Sequence, residues 1–281
     1  MILVTGATGT VGGYLIQALG KQGAPVRALV RSPEKADILR GYNCQVAVGR
    51  FEDADSLDAA LRGVDRVFLI CPLSERLAAL EGAVIDAVRR RGAAHVVKLA
   101  AAGVTQTTSS VRLLQPHRQV VGMLADVPHT VLAPNGFFQN LLGSAASVQE
   151  HGVLPSLAGD AAMSFVDARD VAAVAAHVLT SDGHEGATYT LTGPHAVTYG
   201  DIAARLSALI GREVTATDVS PEEFRSSKQG WDPWLVEGLL ELNAVYLSGA
   251  AAEVTDEVQK ATGSPGRTVM EFLADHLSPF L

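Results

Sequence analysis

"MILVTGATGTVGGYLIQALG", residues 1–20, joins a short strand-like run to a helical pattern through a set of evenly spaced glycines. Gly6, Gly9 and Gly12 form G-x-x-G-x-x-G directly after the strand MILVTG and directly into the helix VGGYLIQALGKQG, which Gly23 closes. The first glycine permits a tight turn, and the second lets the backbone approach a pyrophosphate. The third lets the helix pack closely on the strand, while the helix N-terminus attracts the anion. This strand–loop–helix context predicts a dinucleotide held by Gly6, Thr8, Gly9, Thr10, Val11 and Gly12.

Outward from that loop, β-rich runs alternate with helical stretches. PVRALVR, CQVAVG, DRVFLIC, HVVKLA and HTVLAP read as strands, with helices from about Asp55 to Arg62 and from about Ser74 to Arg91. SPEKADILRGY reads as a helix with Ser32 as N-cap and Pro33 at its first position. Near-continuous Val/Ile/Leu strands separated by helices predict a doubly wound parallel sheet of the Rossmann type. The dinucleotide-binding domain is placed at residues 1–150, followed by a small, mostly helical substrate-binding lobe at 151–281. Within that lobe about 163–192, SFVDARDVAAVAAHVLTS to ATYTLTG, is expected to return to the main sheet as strand, helix and strand, with Asp170 as a helix-start carboxylate. TYGDIAARLSALIGR reads as a helix capped by Thr198, with Asp201 three residues on.

The end of the second strand decides which dinucleotide. An NAD site wants an Asp or Glu there for the ribose hydroxyls. "LVRSPEK" instead offers Arg31, with Lys35 one turn later. A guanidinium grips a 2′-phosphate that a carboxylate would repel. NADP(H) is therefore favoured; NAD(H), with Arg31 stacked on adenine, stays open.

Composition excludes several classes. The 281 residues are 48% hydrophobic and 19% charged, which is no disordered chain. A net charge of −8 speaks against direct contact with nucleic acid. The longest apolar runs fall short of the roughly 20 residues that span a bilayer. Cys44 and Cys71, without a C-x-x-C, predict neither a disulfide framework nor a zinc site, and no metal is expected. Met1 leads straight into a strand, so a cytoplasmic protein without a signal peptide is the expectation.

With TGATGTVGG, VRSPEK, GRFEDADSL, VVKLAAAG and APNGFFQN in order, the chain resembles the NmrA-like atypical short-chain dehydrogenase/reductases, most of all their NAD(P)H:quinone oxidoreductase type. VDARDVAAVAAHVL, YTLTGP and EVQKATGSPGRTVMEFLADH extend the resemblance almost end to end. It implies a Rossmann domain with a small C-terminal lobe. It also implies Phe51 beside adenine. Cys71-Pro72, after the fourth strand, are expected to border the nicotinamide ribose, with the cysteine itself a buried inert thiol. This chain departs from the group in carrying Gly49-Arg50 where Gly-Asp is usual, and Ala100-Ala101 where related reductases often place a serine. His117 is followed by Val121 rather than Glu, and Ala133 replaces an Arg.

The wider superfamily's Tyr-x-x-x-Lys dyad is absent: none of Tyr14, Tyr42, Tyr189, Tyr199 and Tyr246 has a lysine four residues on. Hydride transfer does not itself require that dyad, and an easily reduced acceptor needs little acid assistance. His117 is the best remaining acid or oxyanion donor; alternatively it is a helix-start histidine that caps or meets solvent. Lys98, in an otherwise apolar strand, either reaches the cofactor ribose or snorkels at a sheet edge. Asn135, Phe137 and Phe138 follow the sixth strand on the side where ligands bind, though the phenylalanines also suit a core. Trp231 and Trp234, three apart on one helical face, either line an aromatic pocket or fill the lobe. The leading expectation is an NADPH-dependent reductase of a small quinone or flat aromatic ketone. Alternatives are an NADP(H)-sensing regulator without turnover, and cofactor-assisted oxygenation of an aromatic metabolite. A homodimer is left open.

Overall fold

Apolar, β-branched runs separated by amphipathic stretches favour strands covered by helices on both faces. The computed structural model, which describes residues 1–92, 95–106 and 110–281, places them so. The strands are β1 (Ile2–Val4), β2 (Val26–Val30), β3 (Gln45–Val48), β4 (Arg66–Leu69), β5 (His95–Leu99), β6 (His129–Pro134), β7 (Val153–Ser156), β8 (Thr188–Leu191) and β9 (Thr215–Asp218). Among the described residues a seven-stranded sheet runs β3-β2-β1-β4-β5-β6-β8. Every pairing from β3 across to β6 is parallel. The chain winds from β1 out to β3, then restarts on the other side of β1 with β4. That reversal is the switch point beside which α/β sheets bind ligands.

Two compact units emerge. The first comprises Met1–Ser110, Leu114–Pro134 and Ala168–Thr190; the second comprises Val111–Leu113, Asn135–Asp167 and Leu191–Leu281. In the first unit, Leu3, Val67, Leu69 and Val96 of the sheet pack with Val84, Ile85 and Val88 of helix Leu77–Arg91. Helix Thr10–Lys21 packs on helix Ala168–Thr180, whose Ala172, Ala175 and Ala176 are buried. In the second unit, Phe138 stacks on Phe165 and Phe272, with ring centroids 5.8 and 5.5 Å apart. β7 and β9 pair in parallel there, Val153 opposite Thr215.

The chain changes unit at Pro134–Asn135 rather than near residue 150, because Asn135 and Gly136 already bond within the second unit. Nor is SFV, 164–166, a strand of the main sheet. The Ser164 hydroxyl lies 2.6 Å from the Glu253 carbonyl oxygen, and the Val166 N–H donates to the Gly136 carbonyl at 2.9 Å. These bonds keep the segment in the second unit, and the return to the sheet begins with helix Ala168–Thr180. Thr198 and Asp201 do form a reciprocal capping box. Ser32 occupies an N-cap position but its side chain caps no backbone N–H of the helix, and that helix is one turn long, Pro33–Ala36.

Candidate functional site

The glycine loop is built by exclusion of side chains. Gly6 sits at φ +57°, and a Cβ there would lie 2.6 Å from the Ile70 side chain. A Cβ on Gly12 would lie 2.2 Å from the Gly6 carbonyl oxygen, closer than any real contact. The Gly9 N–H donates to that same oxygen at 2.9 Å and closes the turn. Gly9 is also the N-cap of helix Thr10–Lys21, and no side chain caps it. The first-turn N–H groups therefore point outward without an acceptor side chain, at the positive end of a helix whose first turn holds no acid. Thr8, Gly9 and Thr10 are exposed, while Val11 is buried beneath them. These features fit the diphosphate of a dinucleotide, and need nothing of the sequence beyond small residues.

The neighbouring strand ends supply the rest of the rim. Val30 of β2 lies opposite Val48 of β3, and the Gly49 N–H donates to the Val30 carbonyl at 2.9 Å. Arg31 and Lys35 follow β2, both exposed, and among the described residues neither side chain pairs with a carboxylate. Phe51 is half-buried against the core of the first unit. Cys71 and Pro72 leave the end of β4. Thr5 ties the exits of β1 and β4 together: its hydroxyl accepts from the Ile70 N–H at 2.8 Å. Burial pushes the Cys71 thiol up to about 12, so it is an inert group rather than a nucleophile.

On the other side of β4 the structure places a partner that no motif announced. Lys98 is fully buried in β5, between β4 and β6 and not at a sheet edge. Its Nζ donates to Glu81 Oε1 at 3.0 Å and to the Leu99 carbonyl, with Oε2 at 2.9 Å but poorly aligned. Glu81 Oε1 also accepts from the Cys71 N–H at 3.1 Å. Burial raises the Glu81 carboxyl while the Lys98 ammonium opposes that rise. One signal for this pair was present: Leu77, Glu81, Val84, Ile85 and Val88 share the buried stripe of their helix, and Glu81 is the lone acid among them.

His117, on helix Leu114–Met123, is buried, and among the described residues its Nδ1 has no hydrogen-bond partner. Burial, aided by the Lys98 charge, pushes the imidazole down to about 3. It is therefore neutral at physiological pH. A protonated His117 acid is not what the structure holds; a neutral imidazole with one uncommitted nitrogen is.

The remaining anticipated residues divide differently. The Asn135 amide donates to Ser164 Oγ and to the Ala251 carbonyl, both at 2.9 Å, and its oxygen accepts from the Gly136 N–H. That amide is committed to holding its own loop, not to a substrate. Phe138 is core, while Phe137 is only half-buried. Trp231 and Trp234 do not share a helical face, because Asp232 caps the helix and Pro233 begins it, which leaves Trp231 outside. Trp231 is half exposed, with Lys228 Nζ 4.8 Å from its ring centroid. Among the described residues no group of acids, histidines and cysteines is arranged to hold a metal, and no helix is long and apolar enough to cross a membrane.

A parallel sheet whose first strand turns through an uncapped glycine loop into a helix defines the Rossmann-type α/β class. Within that class the chain belongs to the NmrA-like family, whose profile matches residues 1–232. It is 37% identical to the (4-alkanoyl-5-oxo-2,5-dihydrofuran-3-yl)methyl phosphate reductase of Streptomyces griseus, over 100% of this chain and 99% of that one. It is 36% identical to the NAD(P)H azoreductase of Xenophilus azovorans, again over 100% and 99%. The structure of the Escherichia coli NADPH-dependent quinone oxidoreductase in complex with NADPH matches at a TM-score of 0.89 and 30% identity, covering 99% of this chain and 100% of that one.

Proposed function

We propose that this protein is an NADPH-dependent reductase that passes hydride to a quinone or another flat aromatic acceptor, without a Tyr-x-x-x-Lys dyad. The observation that carries the reading is the glycine cradle, where a Cβ on Gly12 would strike the Gly6 carbonyl and no side chain caps the helix. Gly6, Thr8, Gly9, Thr10, Val11 and Gly12 hold the diphosphate, and Arg31 with Lys35 the 2′-phosphate. Phe51 flanks the adenine, and Cys71-Pro72 border the nicotinamide side. When bound, NADPH supplies the hydride.

The protein's own contribution is positioning and hydrogen bonding. His117 presents a neutral imidazole to the acceptor oxygen as charge builds there, stabilising it without an imidazolium. A neutral imidazole is a weak acid, so the final proton comes from solvent. That suits an acceptor whose reduced anion is itself stable, and is unsuited to an ordinary ketone. The azo and quinone reductases among the relatives support an easily reduced acceptor.

Following NADPH oxidation with and without a panel of quinones tests this. Acceptor-dependent oxidation is expected, with kcat lowered in His117→Ala. Arg31→Glu should lose the preference for NADPH over NADH. Tight NADPH binding with no acceptor-dependent oxidation would overturn the reductase reading in favour of a sensor.

A further inference from the structure

Arg50 follows the end of β3, and the sheet puts it beside Arg31. Residues 30 and 48 are register partners on β2 and β3, and the Gly49 N–H bonds back to the Val30 carbonyl at 2.9 Å. Arg31 and Arg50 therefore leave adjacent strands at the same edge, with strands about 4.8 Å apart. Both are exposed. The backbone of Arg50 is held: its N–H donates to Ser56 Oγ at 3.1 Å, and its carbonyl accepts from the Asp53 N–H at 3.1 Å. Among the described residues its guanidinium has no such anchor, though its charge helps hold the Glu52 carboxyl down.

The nearby carboxylates are already engaged. Glu52 accepts from Arg76 at 3.2 Å. Asp53 caps its helix through Asp55 N and Ser56 N. Glu34 bonds the Ser32 hydroxyl. Among the described residues, what faces solvent without an ion-pair partner along this rim is Arg31, Lys35 and Arg50.

We infer that Arg50 is a second guanidinium for the 2′-phosphate, closing on it from the β3 side while Arg31 closes from the β2 side. The inference rests on the dinucleotide reading above and deepens it: a guanidinium at this strand end is suited to a phosphomonoester. Two guanidinium forks around one dianion favour NADPH over NADH more strongly than Arg31 with a lysine can.

Titration calorimetry with 2′,5′-ADP and with 5′-AMP separates the outcomes without any turnover. Arg50→Ala is a surface change that leaves the fold intact, checked by its thermal midpoint. It should weaken 2′,5′-ADP about tenfold and 5′-AMP less than twofold, the loss expected of one charged phosphate contact. Arg50→Asp should lose more, and should shift the NADPH/NADH preference toward NADH. Equal losses for both nucleotides would mean that Arg50 stacks on adenine, and would overturn the inference. So would unchanged 2′,5′-ADP binding in Arg50→Ala, with the dinucleotide reading left standing. Wild-type protein that binds neither 2′,5′-ADP nor NADP⁺ would overturn the dinucleotide reading, and this inference with it.

Discussion

Lys98 and Glu81 form an ion pair in which neither side chain reaches solvent, at Nζ–O distances of 3.0 and 2.9 Å. Removing one partner strands the other charge in the core. Lys98→Met should therefore destabilise the protein by about 3–5 kcal/mol. Glu81→Gln combined with Lys98→Met removes both charges and keeps an oxygen to accept the Cys71 N–H. The double variant should recover most of the loss, read from urea midpoints. A single variant within about 1 kcal/mol of wild type would show that water reaches the pair.

Gly9 and Gly12 separate binding from folding. A Cβ on Gly12 would meet the Gly6 carbonyl at 2.2 Å, whereas on Gly9 it would meet the same oxygen at 3.2 Å. Gly12→Ala should cost about 1–3 kcal/mol, as overpacking does, and should abolish NADPH binding as well. Gly9→Ala should fold with less than about 1 kcal/mol of loss, yet weaken NADPH at least tenfold, because its methyl would stand where we propose the diphosphate approaches. Fluorescence titration and thermal melts on the same samples distinguish them.

The first half of the fold was legible because one rule governed it: parallel strands buried on both faces read as apolar runs, and glycine spacing marked the loop. The place of Arg31 just after β2 was legible for the same reason, since a strand end is a fixed place on such a sheet. The second unit was harder. β7, with the sequence Val153–Ser156, contains Pro155, and β9 is Thr215–Asp218, exposed throughout. Neither shows the apolar signature of a strand. Trp231 and Trp234 looked like one helical face because their spacing fits a helix; the cap at Asp232 breaks it. Glu81 and Lys98 were each visible as a charge in an apolar pattern, but only the fold brings residues 17 apart in sequence together. His117 was legible as a candidate and not as a state: its neutrality comes from burial.

That neutrality has a signature in pH. The His117 folded value, about 3, lies below its unfolded value near 6.5. The unfolded chain therefore binds the proton first as pH falls. The contribution of His117 to stability is complete above about pH 6.5, and is lost between there and about pH 3 at roughly 1.4 kcal/mol per pH unit. His117→Gln should flatten the acid side of the stability curve. In kcat, wild type should show no limb near pH 6.5 from His117. Such a limb, removed by His117→Gln, would mean that the imidazole is charged in the working enzyme.

At the opposite end of the strands, His95 closes a second network that also holds an imidazole neutral. Its Nδ1 lies 3.3 Å from Arg66 Nη1 and so accepts a hydrogen bond there, which leaves Nε2–H to donate to Thr130 Oγ1 at 2.8 Å. Thr130 passes the chain on to the His184 carbonyl at 2.6 Å, and Arg66 holds the carbonyl of Ser181 at 2.7 Å and the carboxylate of Asp182. Protonating His95 on Nδ1 would set two cations face to face. Burial, the Arg66 charge, His184 and His129 all push the imidazole down, and Glu185 at 3.9 Å opposes them. The neutral form is thus the folded one, and this support is present above about pH 6.5 and fades as pH falls below it. Between pH 7.5 and 5.5, amide exchange over 181–187 should slow less than intrinsic exchange does, an excess that reports opening of the network. His95→Gln, which keeps an acceptor and a donor but cannot take the proton, should remove the excess. Exchange that follows the intrinsic rate in both proteins would show that the clasp does not open.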